Sequence, residues 1–180
     1  MTWLIFVFAG LVIFGSVYWL KPSPRDTRLA NLRLDAIKLG LQVRQQTFKV
    51  DAAKTGVRDD ITATSYTLMR PLKHSDKQGD GLKFRLVGQP GWETDGLPEG
   101  LAWHDWPAKG LERETPAWHQ ANQAVADQVL PLLEALQDDL LLLEVFDNRA
   151  TLMVAERKAA SAEGYQTLLN TLLSASGSFK

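Results

Sequence analysis

The sequence of 180 residues contains no cysteine and only three histidines. Without cysteine the chain can form neither a disulfide nor a thiolate metal site, and it lacks the residue that a bacterial lipoprotein signal requires. The absence of cysteine suits a reducing compartment, but it would equally suit a periplasmic domain that uses no disulfides. Chemistry that depends on a thiolate is therefore excluded, whereas the cellular compartment is left open.

Sequence motifs of catalysis and nucleotide binding are missing as well. The chain contains no G-x-S-x-G, G-x-x-x-x-G-K-[ST], G-x-G-x-x-G, H-E-x-x-H or H-x-x-E-H pattern. Residues 76–81 place oxygen-bearing side chains and a glycine as a calcium loop does, but Val87 stands where that loop needs a glutamate. We therefore predict no catalytic residue, no metal and no cofactor, and we interpret residues 76–81 as a structural turn.

The charge distribution argues against a nucleic-acid partner. The formal net charge is −1 at pH 7, and the mean hydropathy is −0.16. Residues 21–38 hold five basic and two acidic side chains, whereas residues 39–180 hold fifteen basic and nineteen acidic ones. Because nucleic-acid binding requires clustered lysine and arginine, we expect no nucleic-acid partner for the mildly acidic part of the chain.

Residues 1–20 contain no charged side chain and form the longest apolar run of the chain. As a helix, residues 3–20 would extend roughly 27 Å, close to the ~30 Å hydrocarbon thickness of a bilayer. Trp3 lies at one end and Tyr18 with Trp19 at the other, as aromatic side chains do at the two headgroup levels. The basic first segment and the cleavage site of a secretory signal are absent. The pattern predicts a transmembrane helix over residues 1–20.

Basic side chains follow this run closely and none precedes it. They are Lys21, Arg25, Arg28, Arg33 and Lys38. The positive-inside rule therefore predicts a single-pass protein of the bacterial inner membrane, with its N-terminus outside and its C-terminal domain in the cytoplasm. A reversed orientation would place the domain in the periplasm. The residues expected at the membrane interface are Trp3, Tyr18, Trp19, Lys21, Arg25 and Arg28.

The remaining pattern predicts one α+β domain over residues 41–176. Before it, residues 21–40 form a separate segment. Pro22 and Pro24 form an elbow at its start, and a basic juxtamembrane helix is expected at residues 26–39. Strands are expected at residues 41–50, 61–70 and 82–87 as a meander, and at 140–146 and 149–157 as a hairpin. Helices begin after the capping residues Thr115 and Ser161, and Pro131 is expected to kink or split the first of them. We predict a mainly antiparallel sheet of about five strands, covered on one face by two to three helices, with a flexible tail at residues 177–180.

A long segment rich in glycine, proline and tryptophan, residues 88–114, is expected to be an ordered loop with a short strand at residues 100–103. Loops of this length are often functional, and tryptophan is favoured at protein interfaces. The candidate partner-binding residues of this region and the helix after it are Trp92, Trp103, His104, Trp106 and Trp118. The alternative interpretation is a loop that folds onto the sheet as part of the core.

The first 50 residues resemble the YajC family of small bacterial inner-membrane proteins that accompany the Sec translocase. In that family an anchor leads into an elbow with proline and basic residues, then a basic helix, a glycine and a strand. The corresponding features are Tyr18-Trp19-Leu20, Lys21-Pro22-Ser23-Pro24-Arg25, the helix through Arg28 and Arg33, and Leu39-Gly40-Leu41-Gln42-Val43. The family's double glycine is missing, and the C-terminal α-β-β-α part has no counterpart. The resemblance implies a similar topology and a role in the envelope, and it carries over no functional residue.

Two classes of function are consistent with these patterns. The first is a non-enzymatic accessory or scaffold of a membrane machine such as a translocase, with the lipid bilayer and a membrane protein as partners. The alternative is a membrane-tethered enzyme acting on a lipid or envelope intermediate, with His104 and Asp105 as its acid/base pair. The second hypothesis requires a pocket around His104.

Overall fold

The computed structural model describes residues 2–19, 22–71, 81–88, 97–136 and 139–176. These residues form five α-helices, a 3₁₀ turn at Glu134–Leu136 and six strands. The helices are α1 (Thr2–Trp19), α2 (Pro24–Lys38), α3 (Ala52–Thr55), α4 (Pro116–Leu133) and α5 (Ala162–Ala175). The strands are β1 (Gln42–Phe48), β2 (Ile61–Met69), β3 (Leu82–Gly88), β4 (Leu101–Asp105), β5 (Leu140–Phe146) and β6 (Arg149–Val154).

All six strands belong to one antiparallel sheet with the order β1-β2-β6-β5-β3-β4. The predicted α+β class and antiparallel sheet are confirmed, but the expected five strands are six, because Leu101–Asp105 extends the sheet at one edge. The predicted meander of the first three strands is wrong. Instead, the β5–β6 hairpin lies between β2 and β3. The side chains of this hairpin are buried almost throughout, and a strand is covered on both faces only at the centre of the sheet.

The transmembrane helix expected over residues 1–20 is contradicted. Among the residues that the structure describes, no helix combines the length and the apolar character needed to cross a membrane. The side chains of α1 are described over residues 3–15. Large side chains on this part are exposed, among them Phe6 at 76% and Phe14 at 77%.

The main hydrophobic core lies between one face of the sheet and the helices α2, α4 and α5. Each of these helices begins at a hydroxyl residue that accepts a hydrogen bond from the first turn: Ser23, Thr115 and Ser161. The caps predicted at Thr115 and Ser161 are therefore confirmed. Pro131 was expected to kink or split α4; the split is not seen, since α4 continues through Pro131 before it tightens into the 3₁₀ turn.

A smaller cluster of Val87, Leu142 and Met153 lies on the opposite face of the sheet. The segment after β1 packs over this face, with Phe48 and Val57 against the cluster. The sheet curls so strongly that the Phe48 ring, at the end of one edge strand, lies 5.1 Å from the imidazole of His104 on the other edge strand. This curl brings α3 to β4 and forms the site described next.

Candidate functional site

His104 lies on the edge strand β4, where only 8% of its surface is exposed. Its Nδ1 lies 2.9 Å from Oδ2 of Asp105, and its Nε2 accepts a hydrogen bond from the backbone amide of Asp51 at 3.3 Å. An imidazole nitrogen that accepts from an N–H carries no proton, so this network assigns the neutral tautomer with the hydrogen on Nδ1. Both ring nitrogens are therefore engaged within the protein, and the ring joins β4 to the segment that starts α3.

Asp105 connects this imidazole to two cations. Its Oδ2 accepts a hydrogen bond from Nη1 of Arg85 at 2.9 Å, and its Oδ1 lies 3.7 Å from Nζ of Lys54. Burial by itself would raise the pKa of Asp105, but the hydrogen bonds from His104 and Arg85 outweigh burial and hold this pKa below its usual value. Asp105 therefore stays ionised and fixes the imidazole of His104 in place.

A cavity of about 290 Å³ opens beside the imidazole. We call it the Trp106 pocket; its walls include His104, Asp105, Trp106, Trp118, Leu111 and the cations Lys54, Lys109 and Arg113. Burial lowers the pKa of Lys109, whose Nζ donates a hydrogen bond to the carbonyl oxygen of Leu82. With three cations and one carboxylate beside an indole, the pocket is suited to an anionic group attached to an apolar or aromatic body.

The structure separates the predicted tryptophans. Trp103 is 1% exposed and packs edge-on against Phe84 in the core, so it offers no surface to a partner. Trp118 is 3% exposed, and its ring supports the half-buried ring of Trp106 at 4.5 Å. Trp92 lies outside the described residues. Trp106 is therefore the aromatic side chain that faces the pocket with accessible surface.

His104 and Asp105 were expected in a loop, and the structure places both on β4. Asp105 pairs with Arg85 of β3 beyond a shift in the register between Arg85 and Leu86, so the strand continues two residues beyond the predicted residue 103. The calcium-like pattern at residues 76–81 lies, apart from Gly81, outside the described part of the chain. Within that part, no three His, Asp or Glu side chains are grouped so that they could hold a metal ion.

The residues predicted at a membrane interface have different environments. Trp3 is 67% exposed and Arg25 is exposed. Arg28 is half-buried, because its guanidinium donates to the carbonyl oxygens of Glu156 and Arg157 at 2.8 and 2.7 Å. The side chains of Tyr18, Trp19 and Lys21 are not among those described.

The cations of the Trp106 pocket were missed by the sequence reasoning. Lys54 belongs to α3, while Lys109 and Arg113 follow β4, and more than fifty residues separate the first from the others. No spacing along the chain connects them, because they meet only through the curl of the sheet. The one local signal in the sequence was the glycine next to Lys109, close to the tryptophans, because glycine is typical of a turn. The structure has a turn there, and Gly110 closes it with φ +81°.

No family model, curated protein or solved structure matches this chain. The resemblance of residues 1–50 to the YajC family therefore stays a prediction.

Proposed function

We propose that this protein is a non-enzymatic accessory or scaffold protein that works at the cytoplasmic face of the bacterial inner membrane. Its α+β domain acts by binding a component of a membrane machine such as a translocase. The observation that carries the proposal is the exposed apolar surface of α1 followed by the basic start of α2. An apolar surface of this extent requires lipid or protein to cover it.

The exposed surface of α1 includes side chains on every side of the helix. Among them, Trp3, Ile5, Phe6, Phe8, Leu11 and Ile13 are each 62% exposed or more. A Cβ built on Gly10 or Gly15 would meet no atom within 4 Å, so no other described element packs against these positions. Burial of such side chains among lipid chains would hold the domain at a membrane at about 25 cal/mol per Å² of apolar surface covered.

The Trp106 pocket supports the binding role. Tryptophan and arginine are the residues most enriched where binding energy concentrates, and here Trp106 and Arg113 line one cavity. The cations around it favour a carboxylate or another anion on the partner. We propose that an acidic side chain of the membrane partner enters this pocket.

A crosslinking experiment in cells tests the proposal. A photo-reactive residue at Leu111, which lines the pocket and is 44% exposed, is expected to capture a membrane protein. The same residue at Met69, 50% exposed on β2, serves as the control position. Arg113→Glu should abolish the adduct from Leu111, whereas Arg44→Glu on the far edge strand should leave it. Equal capture from both positions would contradict recognition by the pocket.

The enzymatic alternative has one observation in its favour, the cavity beside His104. A general base at this position needs a free Nε2, and the amide of Asp51 occupies that atom. Diethyl pyrocarbonate should therefore modify His119, whose side chain is 43% exposed, and spare His104 in the folded chain. Modification of the two imidazoles at equal rates would favour the enzyme instead.

A further inference from the structure

A second cavity, of about 920 Å³, lies between the first turn of α2 and the segment that follows β6. We call it the basic groove; it is lined by Pro24, Arg25, Arg28, Ala155, Glu156, Arg157 and Lys158. None of these residues takes part in the Trp106 pocket. Pro24 and Ala155 give the groove an apolar floor, and four cations surround it.

The positive charge of the groove is largely uncompensated. In the described part of the chain, Arg25, Arg28 and Lys158 form no ion pair with a carboxylate, while Nε of Arg157 lies 2.9 Å from Oδ1 of Asp139. The carboxylate of Glu156, which also lines the groove, is engaged by Arg33 and Tyr66. Asp26, in the first turn of α2, accepts a hydrogen bond from the hydroxyl of Ser23 at 2.7 Å.

Arg28 is held in place before any ligand arrives. Its two terminal nitrogens donate to the carbonyl oxygens of Glu156 and Arg157, which leaves three of its five N–H groups for another acceptor. Glu156 has φ +50°, a left-handed backbone conformation that is unfavourable for residues other than glycine. This backbone persists because Arg28 holds its carbonyl and Arg33 holds its carboxylate, so the groove is preorganised.

We infer that the basic groove binds the phosphate of an anionic lipid headgroup. Phosphate accepts several hydrogen bonds and is matched by the planar donors of arginine. The groove begins at Pro24, five residues after the last residue of α1, so at most about 18 Å of chain separates it from the end of the apolar helix. This inference rests on the proposed association of α1 with a membrane, which would bring headgroups within that distance.

The test uses the full chain with two kinds of vesicle, phosphatidylcholine alone and phosphatidylcholine mixed with phosphatidylglycerol. Binding to neutral vesicles measures the contribution of α1, and the ratio of the two binding constants measures the anionic preference. We expect the double change Arg25→Gln with Lys158→Gln to lower that preference by about fivefold per cation removed. The matched control, Arg44→Gln with Arg58→Gln, removes two exposed cations outside the groove and should leave most of the preference intact.

A second measurement identifies the source of the phosphate. In neutral detergent, short-chain phosphatidylglycerol should raise the melting temperature of the wild-type chain and of the control variant, but not that of the groove variant. Phosphatidylcholine and inorganic phosphate at the same concentration should have little effect. An equal effect of inorganic phosphate would overturn the assignment to lipid in favour of a soluble phosphorylated ligand.

The outcomes separate the two proposals. A wild-type chain that binds neither kind of vesicle would overturn the membrane association itself. A chain that binds neutral vesicles but shows no anionic preference would overturn the groove inference alone. An equal loss of preference in the groove variant and in its control would show that diffuse surface charge acts instead of a site.

Discussion

At the scale of single residues, Glu156 connects three parts of the fold. Its carboxylate accepts hydrogen bonds from Nε and Nη2 of Arg33 on α2, at 3.0 and 2.5 Å, and from the buried hydroxyl of Tyr66 on β2. Burial alone would raise the pKa of Glu156, but the hydrogen bonds from Arg33 and Tyr66 outweigh burial and hold this pKa below its usual value of 4.5. The ionised carboxylate therefore stabilises the packing of α2 on the sheet.

This environment predicts a loss of stability in acid. Because the pKa of Glu156 is lower in the folded state, its contribution is present above the unfolded-state pKa and is lost as pH falls through the folded-state value. Urea unfolding at pH 7 should show Glu156→Gln to be about 2 kcal/mol less stable than wild type. As pH falls below about 4.5, the wild type should lose more stability than this variant does. Glu112→Gln, an exposed control, should follow the wild type; if Glu156→Gln also follows it, the assigned role is wrong.

Two tyrosines whose rings are in contact allow a matched comparison. The rings of Tyr66 and Tyr165 lie 4.9 Å apart, and burial raises the pKa of each hydroxyl. The Tyr66 hydroxyl donates to a carboxylate, whereas the buried Tyr165 hydroxyl has no hydrogen-bond partner among the described residues. Tyr66→Phe should cost about 2 kcal/mol, and Tyr165→Phe should be neutral or stabilise by up to ~1 kcal/mol. Equal losses in urea unfolding would show that the two hydroxyls are equally satisfied.

At the scale of the elements, β3 and β5 approach each other closely at Gly88. A Cβ built at this position would overlap the backbone carbonyl oxygen of Leu140, which cannot move without disturbing the central strand β5. At Gly164, in the first turn of α5, the nearest atom to an added Cβ is Cβ of Ser161 at 3.7 Å. One glycine is thus required by packing, and the other is not.

These two glycines should respond in opposite directions to the same substitution. Gly88→Ala should destabilise the protein by about 3 kcal/mol or more, because strand backbone would have to shift. Gly164→Ala should stabilise it by about 0.5–1 kcal/mol, because alanine favours the helix and restricts the unfolded chain. The melting temperature of each variant, compared with that of the wild type, tests the predicted loss of stability and the predicted gain. A harmless Gly88→Ala would mean that β3 and β5 are not paired in this register.

At the scale of the whole molecule, three surfaces differ in chemistry: the apolar helix α1, the basic groove at the start of α2, and the Trp106 pocket. The first two are neighbours along the chain, whereas the pocket is assembled from α3, β4 and the segment before α4. A protein that contacts a membrane with one surface and a protein partner with another would require the partner-binding surface to be built from different segments than the membrane-binding surface. The proposed scaffold role accounts for all three surfaces.

The proposed cytoplasmic position of the domain can be measured directly. Green fluorescent protein fused after Lys180 should fluoresce in a bacterial cell, and alkaline phosphatase fused at the same place should be inactive. The physical reason is that the basic residues after α1 are attracted to the anionic cytoplasmic surface of the membrane. An active phosphatase with a dark fluorescent protein would place the domain in the periplasm.

Local patterns were sufficient wherever neighbouring residues specify the structure. The caps at Thr115 and Ser161, the α5 face with Tyr165 and the hairpin over residues 140–154 follow from spacing and side-chain chemistry within a few residues. The end of β6 was predicted three residues too late, at residue 157. The strand ends at Val154, and Arg28 and Arg33 of α2 then hold Glu156 in a left-handed conformation, which no pattern around Glu156 shows.

The amino-acid sequence alone thus specified the α+β class, most helices and strands, and the apolar and basic character of the first forty residues. The strand order, the burial of Trp103, the engagement of both nitrogens of His104 and the meeting of Lys54 with Lys109 depend on the folded chain. The physical reason is the separation along the sequence between the residues that interact. Capping and periodicity act between residues a few positions apart, whereas the curl of the sheet brings together side chains more than fifty positions apart.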